Sequence, residues 1–270
     1  MSDTATIVLI HGLWMTPASW QEWAERYRAA GHTVIAPGWP GVDDRSVADI
    51  RRDPTPLEGI GLRQVADHYE GIIRSLPGEP IIIGHSFGGV IAQMLADRGL
   101  GAAIVGIAPG PPAGVPRLPL STLRSGLPVL SNPFRRNAAS PISRKQFHYN
   151  FGNDLSREES DGLWERFAIN SFNRVLFDGA LATVALRGGA SRINFTRAGR
   201  APFLMILGER DHVVPPALGR ATLKRYRAGS SPVEYREFAG RTHRLVNQEG
   251  WEEIADLALG WAVENARVRA

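Results

Sequence analysis

Residues 81–92 read Ile81-Ile82-Ile83-Gly84-His85-Ser86-Phe87-Gly88-Gly89-Val90-Ile91-Ala92. Three consecutive β-branched isoleucines predict a buried strand, whereas Val90, Ile91, Met94 and Leu95 recur at helical spacing. Ser86 therefore falls on a sharp strand-to-helix turn. A chain that reverses direction within so few residues has no room for a Cβ at the flanking positions and strains the central residue. Glycines two before and two after the serine are thus sterically demanded, and the hydroxyl is pushed outward where a substrate can reach it. The Gly-x-Ser-x-Gly string alone is weak evidence in a chain with 29 glycines. The strand before it and the helix after it supply most of its weight.

Working outward, strand-like runs alternate with helical patterns through the first hundred residues. Thr6 to Ile10 predicts a strand. Pro17 to Ala30 predicts a helix with proline in its first turn, Trp20, Trp23, Ala24 and Tyr27 on one face and Gly31 as its stop. Further strands are expected at Thr33 to Ala36, Ile81 to Ile83 and Ala102 to Ala108, with helices at Leu62 to Leu76 and Phe87 to about Asp97. This alternation predicts an α/β fold, a mostly parallel sheet with helices on both faces. The pattern breaks at Pro109, and the chain to Pro141 is rich in proline. Helical patterns return at Arg144 to Tyr149 and Ser156 to Phe177, the second opened by Ser156 and Glu159 at capping-box spacing. Strands resume at Pro202 to Leu207 and Val233 to Phe238, and an amphipathic helix with Trp251, Ile254, Leu257, Ala258 and Trp261 follows. The expected organisation is a core of residues 1–109 and 199–270 interrupted by a mainly helical insertion, 110–198.

Composition narrows the function classes. At 270 residues, 43% hydrophobic and 21% charged, the chain can bury a substantial core and is not of a disordered type. The pI is near 9.8, yet the basic residues exceed the acidic ones by only four and are scattered, without the dense run that a nucleic acid or membrane surface favours. No nucleic-acid and no membrane partner is expected. Absence of cysteine excludes disulfides, thiolate metal sites and a cysteine nucleophile. The first residues lead straight into Ile7-Val8-Leu9-Ile10 without a basic and long apolar leader pattern, and a cytoplasmic location is the simplest expectation. The seven histidines show no zinc-type pairing, and no phosphate-cradling loop occurs, so chemistry without metal or cofactor is expected.

A serine hydroxyl is a poor nucleophile until a base takes its proton, most often a histidine oriented by a carboxylate. Just past the strand ending at Leu207 lies Gly208-Glu209-Arg210-Asp211-His212-Val213-Val214-Pro215, and just past the strand ending at Phe238 lies Gly240-Arg241-Thr242-His243. Functional residues of open parallel sheets gather at such carboxyl ends. Against this stand plainer readings: Ser86 as a helix N-cap, His243 as a structural histidine, and Glu209 in place of Asp211.

Gly84-His85-Ser86-Phe87-Gly88, the early His11-Gly12-Leu13-Trp14, the block around Asp211 and the Gly-x-x-His ending at His243 resemble the α/β-hydrolase superfamily. The resemblance covers nearly the whole chain apart from the insertion, which is similar to the family's cap. It implies a serine esterase or lipase-like enzyme with Ser86 as nucleophile, His243 as base and acid and Asp211 as orienting carboxylate. The backbone N–H groups of Leu13 and Phe87 are the implied oxyanion hole, with His11 ordering that turn. The implied substrate is a small to medium apolar ester or lactone. Relatives that open epoxides or displace halides use an aspartate at the elbow, so Ser86 argues against both. Cofactor-free perhydrolase or haloperoxidase-like chemistry, carbon–carbon hydrolysis, hydroxynitrile-lyase-like cleavage and ligand binding without turnover remain alternatives. Trp14, Phe147 and Trp164 are the expected pocket residues, and His85 and His212 are expected to pack or hydrogen-bond. The insertion has twice as many basic as acidic residues, which fits either an anionic substrate or a solvated surface. Nothing in the sequence speaks to oligomeric state.

Overall fold

In the computed structural model, residues 4–43, 45–115, 117–184 and 189–269 are described; Pro116 and residues 185–188 of the expected insertion lie outside them. The first part of the chain forms β1 (Thr6–Ile10), α1 (Gln21–Ala29), β2 (Thr33–Ile35), α2 (Val47–Arg52), α3 (Leu62–Arg74), β3 (Ile81–His85), α4 (Phe87–Asp97) and β4 (Ala103–Ile107). Then come α5 (Leu120–Leu130), β5 (Ala139–Ser140), α6 (Arg144–Phe151), α7 (Arg157–Phe167), β6 (Ser171–Phe172) and α8 (Asn173–Val184). The chain closes with β7 (Phe203–Gly208), α9 (Pro216–Tyr226), β8 (Val233–Phe238) and α10 (Trp251–Arg269). No helix among the described residues is long and apolar enough to cross a membrane.

Six strands form one sheet in the order β2-β1-β3-β4-β7-β8, and every pairing in it is parallel. Successive side chains of a strand point to opposite faces, and the central strands are apolar throughout because both faces are covered. Ile7 and Leu9 join Ile81, Ile83, Leu204 and Ile206 in a layer with Trp23 and Tyr27 of α1 and Ile254 and Ala258 of α10. Val8, Ile10, Ile82, Met205 and Leu207 face the other way, onto Val65 and Tyr69 of α3, Ile91 and Leu95 of α4 and Leu218 of α9. The chain steps outward from β1 to β2, then returns across β1 to β3. With α1 on one face and α3 on the other, the loops after β1 and β3 diverge and leave a crevice at their carboxyl ends. That crevice is where Gly12 and Ser86 meet.

Several expectations change in detail. The helix expected from Pro17 begins as a 3₁₀ turn over Pro17–Trp20, capped by Thr16, before α1 takes over. The helical pattern expected over Ser156 to Phe177 is two helices. Its capping box is present, but α7 ends at Phe167, Ile169 N–H donates to the Trp14 carbonyl, and Ser171–Phe172 pairs antiparallel with β5. The proline-rich stretch contains the unexpected α5, which accommodates Pro128 near its end. Between β4 and β7 the chain shares a core with the sheet: Phe147, Phe151, Phe167, Phe172 and Val175 belong to the same apolar cluster as Ile91 and Leu95.

Candidate active site

Ser86 occupies φ 56°, ψ −118°, a strained conformation for a residue with a Cβ. Its surroundings over-determine it. Ser86 N–H donates to Ile107 O at 3.0 Å, and Ser86 O accepts from the N–H groups of Gly89, Val90 and Gly110 at 3.0, 3.2 and 3.1 Å. A Cβ on Gly84 would stand 2.2 Å from Gly88 O, and one on Gly88 would stand 2.1 Å from Ile10 O. Both obstacles are backbone and cannot yield. Gly84→Ala is accordingly expected to destabilise the fold by about 3 kcal/mol or more. Urea denaturation checks this, and a midpoint equal to wild type would refute it.

The loops after β7 and β8 carry Asp211 and His243, and they lie against each other. Arg210 N–H donates to Arg241 O at 2.8 Å, and a Cβ on Gly208 would meet that same carbonyl at 2.5 Å. Asp211 Oδ1 accepts from Val213 and Val214 N–H at 2.7 and 2.8 Å, leaving Oδ2 to face His243 Nδ1 at 2.7 Å. A carboxylate only accepts, so Nδ1 carries the proton and Nε2 is free to accept. Nε2 lies 3.0 Å from Ser86 Oγ, its donor. All three residues are buried. The chain between β4 and β7 clasps these loops: Arg244 pairs with Asp154 at 2.7 Å, Asn153 Nδ2 donates to Arg210 O at 3.0 Å, and His212 stacks on Tyr149 at 4.7 Å.

Two further histidines hold the floor. His85 Nε2–H donates to the backbone carbonyl of His243 at 2.8 Å, with the two rings 4.8 Å apart. Burial, helped by the neighbouring His243, pushes its pKa down to about 3. His11 Nε2 accepts from Trp39 N–H at 3.2 Å, so Nδ1–H donates to Gly12 O at 2.9 Å. Burial pushes its pKa down to about 4, with the Gly12 bond opposing. Gly12 lies against Ser86, where a Cβ would be 3.1 Å from Ser86 Cβ. Leu13 follows it, while Phe87 opens α4 and has no carbonyl one turn back within its own helix. Above Ser86 is a cavity of about 130 Å³, lined chiefly by apolar side chains including Trp14, Phe87, Leu123, Leu176 and Val214.

The Alpha/beta hydrolase family pattern matches residues 7–257. The chain belongs to the α/β-hydrolase family. Its fold is similar to a monoacylglycerol lipase of Paleococcus ferrophilus, 20% identical, covering 96% of this chain and 94% of that one with a TM-score of 0.66. A pyrethroid hydrolase of Sphingobium faniae is 18% identical over 98% of this chain and 99% of its own, with a TM-score of 0.63. In sequence, 98 residues are 31% identical to a carbendazim hydrolyzing esterase of a Nocardioides species. That match spans 35% of this chain and 36% of the relative's length.

In this α/β-hydrolase the expected residues divide. Ser86, His243 and Asp211 come together in one hydrogen-bonded run, and Trp14 and Phe87 line the cavity. Phe147 and Trp164, expected in the pocket, are not among its lining residues. Phe147 is buried against Phe151 at 5.0 Å, and Phe151 is the ring that meets His243, at 5.4 Å. Trp164 lies between the Arg51 and Arg144 guanidinium groups, 4.1 and 4.4 Å from its ring, with its N–H turned to the Ile142 carbonyl. The cavity takes its apolar lining from residues not singled out in the sequence: Leu118, Leu123 and Leu130 in or beside α5, Leu176 of α8, and Val213 and Val214. The signal available was leucine at helical spacing from 120 to 130, obscured by the surrounding prolines.

Proposed function

We propose that this α/β-hydrolase cleaves a carboxylic ester or lactone of a small, apolar substrate through an acyl-enzyme on Ser86. The observation that carries the reading is the run Asp211–His243–Ser86 at the foot of an apolar cavity. As Ser86 Oγ attacks the carbonyl carbon, its proton passes to His243 Nε2, and Asp211 stabilises the imidazolium at Nδ1. The carbonyl oxygen becomes an oxyanion facing the N–H groups of Leu13 and Phe87, the latter at the positive end of α4. Collapse expels the alcohol oxygen, which takes the proton from Nε2. Water then repeats the cycle with His243 as base and frees the acid. Each step uses only the chain's own groups and water. The segment 110–198 serves as a cap that walls the cavity. One relative named as an esterase and structural neighbours named as a lipase and a pyrethroid hydrolase support the ester class.

At about 130 Å³ the cavity is well below the roughly 300–1,000 Å³ of drug-sized sites. It suits a short acyl or alkyl group. Hydrolysis of p-nitrophenyl esters of graded acyl length is expected to be fastest with the shortest chains. Turnover should vanish in Ser86→Ala, and intact mass should show an acyl adduct on the wild type alone. A folded protein without turnover or adduct across the series overturns the reading in favour of a non-ester reaction or ligand binding.

A further inference from the structure

All of the exposed large apolar side chains among the described residues lie in one stretch, Leu118, Leu120, Leu123, Leu127 and Phe134. Leu120, Leu123 and Leu127 follow at helical spacing on α5, with Leu118 just before the helix and Phe134 just after it. Leu120 is 84% and Phe134 99% exposed, so the apolar surface presented to water is nearly the whole of each side chain. Phe134 lies in the 3₁₀ turn Pro133–Arg135, far along the chain from the residues that touch Ser86. Internal packing accounts for neither residue. A concentration of this kind marks a contact surface.

Charge says what kind. From residue 98 to residue 153 the chain has no acidic residue at all, and residues 117–145 include Arg117, Arg124, Arg135, Arg136, Arg144 and Lys145. Arg136 and Arg144 are paired with acids of α8 and α7. Arg124 lies over the Tyr149 ring at 4.2 Å and shares the exposed face of α5 with Leu120, Leu123 and Leu127. Arg117, Arg135 and Lys145 are exposed without an acidic partner among the described residues. Four of the six basic residues along this stretch, Arg117, Arg124, Arg135 and Lys145, are thus left without an acidic partner among the described residues. A second copy of the chain would bring the same cations face to face.

We propose that the surface from Leu118 to Phe134 docks the protein on an anionic lipid surface, apolar side chains entering the headgroup boundary and arginines meeting the lipid anions. Leu118 and Leu123 belong both to this surface and to the cavity lining, so docking turns the cavity mouth toward the lipid. An apolar substrate dissolved in the bilayer then reaches Ser86 without crossing bulk water. The docking itself is independent of the ester reading, because it is measured without turnover.

The test is flotation of the full chain with vesicles of phosphatidylcholine alone and of phosphatidylcholine mixed with phosphatidylglycerol. Binding is expected to the mixed vesicles, to be weak on phosphatidylcholine, and to fall as salt is raised. The combined variant Leu120→Ser, Leu127→Ser, Phe134→Ser should lower partitioning by about tenfold or more, and Arg124→Glu with Arg135→Glu should remove the preference for anionic lipid. None of these residues lines the cavity, and an unchanged melting temperature shows that the variants fold. The proposal is overturned by absence of binding to either vesicle, by equal binding to both, or by a variant that partitions like wild type. It is likewise overturned by a wild-type dimer that the apolar variant dissociates, which would assign the surface to a second copy.

Discussion

Asp211→Asn is expected to lower kcat on a p-nitrophenyl ester by about 10⁴-fold while leaving the protein folded. Oδ1 of Asp211 holds the N–H groups of Val213 and Val214, and an asparagine oxygen can keep those bonds. Its amide nitrogen then takes the place of Oδ2 beside His243 Nδ1. An N–H now donates to Nδ1, which must give up its proton, and Nε2 carries it instead. Nε2–H faces Ser86 Oγ and can no longer accept its proton, so the base is lost without a change in shape. His243→Ala should have an effect of the same order or larger. The fold should tolerate it, because the bond from His85 ends on the backbone carbonyl of residue 243. Steady-state kinetics with matched melting curves checks both. A variant of either kind within tenfold of wild-type kcat would remove the assignment of base and orienting acid.

Mild acid is expected to remove a large part of this protein's stability. His11 and His85 are held neutral in the fold, with pKa values near 4 and 3 against an ordinary 6.5, chiefly because burial penalises the imidazolium. Below pH 6.5 the unfolded chain therefore takes up two protons that the native state refuses. Stability is full above about pH 6.5 and is lost as pH falls toward the native values. For the two sites together the loss between pH 7.5 and pH 5 is about 4 kcal/mol, against a typical total of about 5–15 kcal/mol. His148, whose pKa is also lowered by burial, acts in the same direction. The carboxylates with perturbed pKa values are shifted downward, Glu70 chiefly by its bond to Arg74 and Glu165 chiefly by its bond to Arg51. Urea titrations at the two pH values should show the drop, and His85→Gln should remove about half of it. Equal stability at both values would show that these rings are not held neutral.

How much of this could be read from one sequence differs from residue to residue. The turn around Ser86 was legible because its constraints are local. Gly84 and Gly88 lie within two residues of the serine, and a Cβ at either would strike backbone. The strands were legible because Ile7 to Ile10 and Ile81 to Ile83 are apolar on both faces, which only a covered parallel sheet requires. Trp14 could be placed at the cavity because it lies in the loop that leaves the end of β1. Local pattern failed at Phe147 and Trp164, where aromatic character says that a side chain is buried or stacked but not against what. A second aromatic, Phe151, stands between Phe147 and His243, and two arginines from separate helices cover Trp164. It failed again at α5, where prolines mask leucines that share one face.

Sequence alone therefore carries the strand-to-helix turn, the parallel sheet and the placing of Ser86, Asp211 and His243 just past the ends of β3, β7 and β8. Those features follow from sterics and periodicity over a few neighbouring residues. Packing between distant elements brings His243 Nε2 to Ser86 across 157 positions, lines the cavity with leucines and valines, and leaves Leu120 and Phe134 facing water. Those depend on which distant elements pack together, and on the direction in which each side chain then points.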